Sequence, residues 1–359
     1  MRGIASVSVL FHHCIHSSNG NLSAQVLNVP LTSVAATDLV GRAWLSFFAG
    51  GVAVNLFFIL SGSVLMASLQ REAKFDFALI VRFVGRRVLR IYPAMVVTVA
   101  CFGVLSWLLP IRAEGFTFGQ IVDNCLLLAN SVNGATWTLQ SEMLMVPLIL
   151  LVAFGWALLG NVVPLLFLFW SVSCLFLGAP FAPTLLNVAI PSFALGMLIP
   201  AVLTGDDIGG LPTWTAYLAL LSLVGVRFLF PLSDIRALMA LLVLSFLAVA
   251  VVFYSSEERN ALDHPMLQFL GRISYGLYLI HPVVITALLP LFKGVMGSSL
   301  IADHYVIFGL AFGLIVASVT VPLSALCETH VERPFIRLGQ FVFRKRTRVG
   351  EGTPAVTYR

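Results

Sequence analysis

Ten apolar runs, each near the roughly 20 residues that an α-helix needs to cross a bilayer, dominate the chain and restrict it to one class of fold. They fall at about 2–18, 44–69, 88–109, 137–159, 161–178, 185–203, 211–230, 236–254, 268–292 and 304–327 of the 359 residues. What remains cannot coat a water-soluble domain, because 59% of the residues are hydrophobic and only 10% are charged, against roughly 25% charged in soluble proteins. The expectation is an all-α polytopic membrane protein with about ten transmembrane helices, and a soluble enzyme is excluded. The stretch 120–129 is too short to span and reads as a re-entrant or interfacial piece. A signal peptide is the rival reading of the first run, but the histidine pair inside it and the lack of a small-residue cleavage site speak against that. No internal repeat or low-complexity linker divides the chain, so it reads as one membrane domain, 1–343, followed by a basic and disordered tail, 344–359.

The basic residues set the orientation. With both termini cytoplasmic, sixteen of the 21 Lys and Arg residues fall on the inner side, leaving Arg42, Arg112, Arg227, Arg236 and Lys293 outside. That bias favours an even number of spans. The five cysteines lie in or beside apolar segments without CxxC spacing, a pattern of packed thiols rather than of disulfides or a metal centre.

Within the first run, ten residues separate Arg2 from His13. Eleven helical steps return to within about 20° of the same face and climb about 16 Å, which puts Arg2 at a membrane surface and His13 near mid-bilayer. Ionisable groups aligned this way inside a membrane point to a functional site, although an interior histidine also serves as an interhelical hydrogen-bonding partner. An imidazole titrates near neutral pH and so can take a proton from an attacking hydroxyl. His12 lies about 100° round the helix from His13 and His16 about 60° away. No carboxylate or cysteine accompanies the His13/His16 pair at ligand spacing, and no metal is expected there. Further on, Arg82, Arg86, Arg87 and Arg90 crowd the inner side of the second-to-third helix connection. They suit anionic lipid head groups, and Arg87 and Arg90, one turn apart, also suit the phosphates of a nucleotide-like ligand.

Taken in order, RGIA with its Arg-x10-His spacing, NLFFILSG (55–62), RRVLRIYP (86–93), TWTLQSE (136–142), LGRISYGLYLIHP (270–282) and ERP (332–334) resemble the motifs of the acyltransferase-3 family of membrane acyltransferases. The resemblance runs from the first helix to the tail. It implies a bacterial inner-membrane enzyme that transfers an acyl group, acetyl above all, from acyl-coenzyme A to a carbohydrate hydroxyl. On that reading Arg2, Arg86, Arg87 and Arg90 hold the donor and His13 is the general base. Trp137 and Glu142 open the fourth helix at the outer side, where Glu142 either stabilises a helix start or orients the histidine or acceptor as a catalytic carboxylate. His16, Trp137 and Tyr275 are the candidates for acceptor binding, although Tyr275, Tyr278 and His281 also form a stripe suited to interhelical packing. Ser61 and Gly62 read as close helix packing, Glu332 as structural, and the segment after Cys327 as an in-plane amphipathic anchor.

Two features depart from the family pattern: the Arg-Gly pair follows Met1 without the usual polar lead, and Ser63 stands where a bulky apolar residue is common, which bears on pocket shape. No hydrolase-like domain follows the tenth run, so the membrane portion is expected to act alone or with a separate partner. No nucleic-acid partner is expected. The competing class is a non-catalytic transporter or flippase for a glycolipid or acyl group, which ten helices with intramembrane charges also suit. Against it stand the absence of paired broken helices in matching halves and a histidine aligned with a basic cluster on one side.

Overall fold

The structure, a computed structural model, describes residues 1–344 except 73, 110–114, 178–185, 204–210, 213, 232 and 255–263. Arg112, Arg259 and all of the basic tail beyond Arg344 lie outside the described residues. In chain order the helices are α1 (Arg2–Ser18), α2 (Gly20–Asn28), α3 (Leu39–Phe47), α4 (Gly50–Gln70), α5 (Phe77–Leu108), α6 (Phe118–Cys125), α7 (Trp137–Leu159) and α8 (Val162–Leu177). There follow α9 (Leu186–Val202), α10 (Trp214–Leu229), α11 (Ile235–Tyr254), α12 (Pro265–Arg272), α13 (Ser274–Met296), α14 (Ser298–Asp303), α15 (Tyr305–Cys327) and α16 (Arg333–Val342). No strand occurs among the described residues. Ten of these helices answer the ten apolar runs. Six helical stretches are long and apolar enough to cross a membrane, with 162–177, 189–202 and 214–229 as shorter apolar helices. Large side chains such as Leu158, Phe169, Leu177, Ile307 and Leu314 face outward, as a bilayer requires, while serines, threonines and glycines line the helix contacts.

α4 is the hub. Its closest neighbour is α9, and the approach is set by glycine: a methyl group on Gly62 would collide with the carbonyl oxygen of Phe193, and one on Gly196 with that of Ile59. In lipid, where apolar burial supplies little drive between helices, such backbone contact is what holds a pair together. Gly196→Val is therefore expected to destabilise the fold by about 1–3 kcal/mol through overpacking. Gly225→Val, with nothing within 4 Å of a new Cβ, is expected to stay near the parent. Thermal unfolding in detergent measures both.

Three elements differ from the hydropathy pattern. α5 begins at Phe77, about three turns before the apolar run at 88, with the Asp76 side chain accepting from Leu79 N at 2.6 Å. The arginines that end the apolar run do not end the helix, so Arg82, Arg86, Arg87 and Arg90 ride on α5 itself rather than on the connection before it.

α7 begins deep in the protein and not at its far side. Glu142, in the second turn of α7, is bonded to Ser61, one residue past the midpoint of the 21-residue α4, and so lies about 16 Å below the start of α4. The chain reaches that depth through the segment after α6, whose irregular backbone is satisfied by asparagines. Asn124 Oδ1 accepts from Val132 N and Asn133 N, its amide donates to Thr136 Oγ1 at 2.8 Å, and Asn133 donates to the Leu279 carbonyl at 2.9 Å. Non-helical backbone at membrane depth survives only where protein buries it in this way.

The third difference is α16. It continues from α15 through a π-helical turn, Glu328–Glu332, and packs along α5. Gly339 lies against Leu89, the Phe343 ring lies over Gly85, and Arg86 donates to the Phe343 carbonyl at 2.5 Å. The amphipathic segment is thus docked on the bundle.

Candidate functional site

The basic ends of α1 and α5 meet α7, α13 and the π turn around a cavity of about 290 Å³. Arg2, Arg90, Arg272 and Arg333 supply four cations to its wall, Glu142, Glu328 and Glu332 three carboxylates, and Tyr275, Tyr278, Phe57 and Phe58 an aromatic lining. A second hollow of about 240 Å³ lies on the other side of α5, lined by Arg82, Arg86, Arg87 and Glu72, and Arg90 belongs to both. A vestibule rich in arginine therefore adjoins a chamber of mixed charge with an aromatic wall, and Arg90 lines both.

Arg87 is engaged within the protein. It is 6% exposed and ion-paired with Glu142, and its guanidinium donates to Ser61 Oγ at 2.9 Å while Ser61 donates to Glu142 Oε1 at 2.7 Å. This triad ties α5, α4 and α7 together at mid-depth and orients Glu142 at the cavity wall. Arg86 is likewise occupied by the Phe343 carbonyl. Of the four arginines assigned to a donor from the sequence, Arg2 and Arg90 line the chamber, whereas Arg86 and Arg87 face the vestibule and hold neighbouring helices.

Two of the three carboxylates come from the π turn: Glu328, which the sequence does not single out, and Glu332 of the ERP motif, which reads there as structural. The π turn adds a residue to the helical ladder and so rotates Glu328 and Glu332 inward. Glu328 accepts from Arg333 Nε at 2.5 Å, and Glu332 lies against the backbone of Gly276 with its Oε1 buried and without a hydrogen bond. Ser61, read as packing alone, is instead the hinge of the Arg87–Glu142 pair.

His13 is not beside Glu142. Its ring stands edge-on to that of His281, with centroids 5.3 Å apart. His281 is fully buried and Nδ1 lies 3.1 Å from the Leu277 carbonyl. Since a carbonyl only accepts, Nδ1 carries the proton in the neutral ring and Nε2, which has no partner, is left with its lone pair. Pro282, the next residue, has no N–H to give to the Tyr278 carbonyl, which leaves that backbone open to the imidazole. Tyr278 links the two regions: it lines the chamber, and its ring is 5.9 Å from that of His281. A line of aromatic and imidazole rings thus runs from the chamber through Tyr278 and His281 to His13, about 16 Å up α1 from Arg2. His281 was legible as part of the Tyr275, Tyr278, His281 stripe, but nothing in the sequence says which helix that stripe faces.

The acceptor candidates disperse. Tyr275 lines the chamber and donates to the Ile91 carbonyl at 2.6 Å. Trp137 packs edge-on against Phe58 at 5.9 Å. His16 is exposed at the far end of α1, its Nδ1 2.9 Å from Ser23 Oγ.

Chemically, the chamber offers cations for phosphates, an apolar wall for a chain, and a row of packed rings that joins it to an imidazole. The model of a family described as an acyltransferase domain matches residues 1–328. No curated protein and no solved structure matches the chain.

Proposed function

The chain belongs to the acyltransferase-3 family and is a membrane acyltransferase, and from that premise we propose that it moves an acyl group, acetyl in the simplest case, from acyl-coenzyme A to a hydroxyl of a carbohydrate. The observation that carries the proposal is the arginine-lined chamber leading by way of Tyr278 and His281 to His13. On this reading both termini face the cytoplasm of a bacterial inner membrane, and the vestibule beneath Arg82 and Arg90 is where the donor enters. Arg90 and Arg2 hold its phosphates by charge-assisted hydrogen bonds, and the thioester arm extends along the apolar wall. The acceptor comes from the opposite side. Its hydroxyl gives a proton to His13, its oxygen attacks the thioester carbonyl, and the carbon–sulfur bond breaks to release coenzyme A, which takes up the proton as a thiol.

His281 is placed to hold His13 in register through its fixed, Nδ1-protonated ring. Glu142 serves through position: with its charge balanced by Arg87, it closes the chamber wall. Arg86 and Arg87 contribute positive potential to the vestibule while holding α16 and α7.

The test is equilibrium binding of coenzyme A to the purified full chain. Arg90→Ala removes a partner worth about 1.5–3 kcal/mol, so affinity is expected to fall about tenfold or more with insertion intact, and Arg2→Ala to act in the same direction. Parent-like binding in both variants would refute the donor site.

A further inference from the structure

On the far side of the bundle, away from the donor chamber, the two buried arginines Arg42 and Arg227 lie within electrostatic reach of each other, and Arg227 within reach of His12. Arg42, on α3, is fully buried. Its Nε donates to the Phe228 carbonyl at 2.6 Å and its Nη1 to those of Val26 and Val29, which caps the ends of α10 and α2, yet its Nη2 has no partner. Arg227, on the last turn of α10, is 5% exposed and forms no ion pair among the described residues. Of the carboxylates nearest in sequence, Asp234 pairs with Arg236, and Asp38 forms no ion pair with Arg42 or Arg227 among the described residues. Two cations withdrawn from water with no opposing carboxylate are costly unless something anionic completes them.

Directly below this cluster is an apolar groove of about 500 Å³ between α1, α3, α4, α10 and α12. On each of three helices a groove residue lies one turn from a member of the polar cluster: Ser8 and His12 on α1, Ser46 and Arg42 on α3, Leu223 and Arg227 on α10. The i, i+4 spacing puts each pair on one face. Ser46 Oγ is buried and unpartnered where the groove meets the cluster, and His12 Nδ1 is buried there beside the backbone of Phe48. The groove itself continues toward Met1 and Leu270 with an almost wholly apolar lining.

We propose that this is a binding site for a lipid phosphate: the phosphate against Arg227, the free Nη2 of Arg42 and His12, the single apolar tail along the groove. Charge complementarity selects the head and the lining selects the tail. The site bears on the acceptor, and here the inference rests on the proposed function: His12 adjoins His13, with ring centroids 5.8 Å apart, so a sugar carried on such a phosphate is presented to the general base from the side opposite the donor.

The experiment uses the full chain in detergent and three probes: farnesyl phosphate, farnesol with the same tail and no charge, and inorganic phosphate with the charge and no tail. Farnesyl phosphate is expected to bind at least about tenfold more tightly than either of the others. Arg227→Gln is expected to remove that advantage while leaving farnesol binding unchanged, and Leu223→Trp, which fills the groove, to weaken both lipids. Should Arg227→Gln fail to fold, Leu223→Trp together with the three-probe comparison decides alone. Equal binding of farnesol, equal binding of inorganic phosphate, or complete displacement by equimolar phosphatidylglycerol would overturn the proposal, the last by showing an unselective lipid contact. Coenzyme A binding, measured on the same samples and dependent on Arg90, separates failure of this site from failure of the donor reading.

Discussion

His13→Ala is expected to abolish acyl transfer, with a fall of at least about a hundredfold, the lower bound of what a positioned general base contributes. The loss belongs to the chemical step alone. His13 is exposed at the end of the ring line far from the donor chamber, about 16 Å up α1 from Arg2. Coenzyme A binding and thermal stability are therefore expected to stay near those of the parent. The readout is acylated product per unit of purified protein, with coenzyme A release alongside. Full activity in His13→Ala would remove the general base from the account.

Arg87 is expected to behave quite differently. Removing it leaves Glu142 and Ser61 at mid-depth with an unbalanced charge, and breaking a buried pair from one side costs about 3–5 kcal/mol. Arg87→Met is thus expected to lower stability by that amount. The double variant Arg87→Met/Glu142→Leu, which removes both charges, is expected to recover much of the loss, since apolar replacement of a buried pair is often neutral. Unfolding in detergent measures the three proteins. A stable Arg87→Met with sharply weakened coenzyme A binding would instead place Arg87 on the donor.

Much of this architecture was legible in the chain. The apolar runs and their lengths follow from what a bilayer accepts, and the shared face of Arg2 and His13 follows from helical geometry alone. What was not legible is which helix meets which. Arg87, Ser61 and Glu142 lie 26 and 81 residues apart along the pairs they form, and no local pattern encodes that meeting. The depth of Glu142 depends on the segment after α6, where the short apolar stretch 120–129 is legible but the hydrogen bonds of Asn124 and Asn133 that hold the backbone are not. α5 is longer than its apolar run because arginine interrupts hydropathy without interrupting a helix. Glu328 and Glu332 enter the chamber only because a π turn shifts the face they occupy, and His281 reaches His13 through a stripe whose direction is set by α1 and α15 packing around α13.

The central claim is transfer from a thioester on one side of the membrane. Proteoliposomes carrying the full chain in known orientation, loaded with carbohydrate acceptor extracted from membranes, are given coenzyme A thioester labelled in its acetyl group. The account predicts label in the glycan, one coenzyme A released per acetyl transferred, and both only when the donor is supplied to the face that exposes Arg82 and Arg90. Labelled acetyl or glycolipid crossing the bilayer without thioester cleavage would contradict it and mark the protein as a transporter.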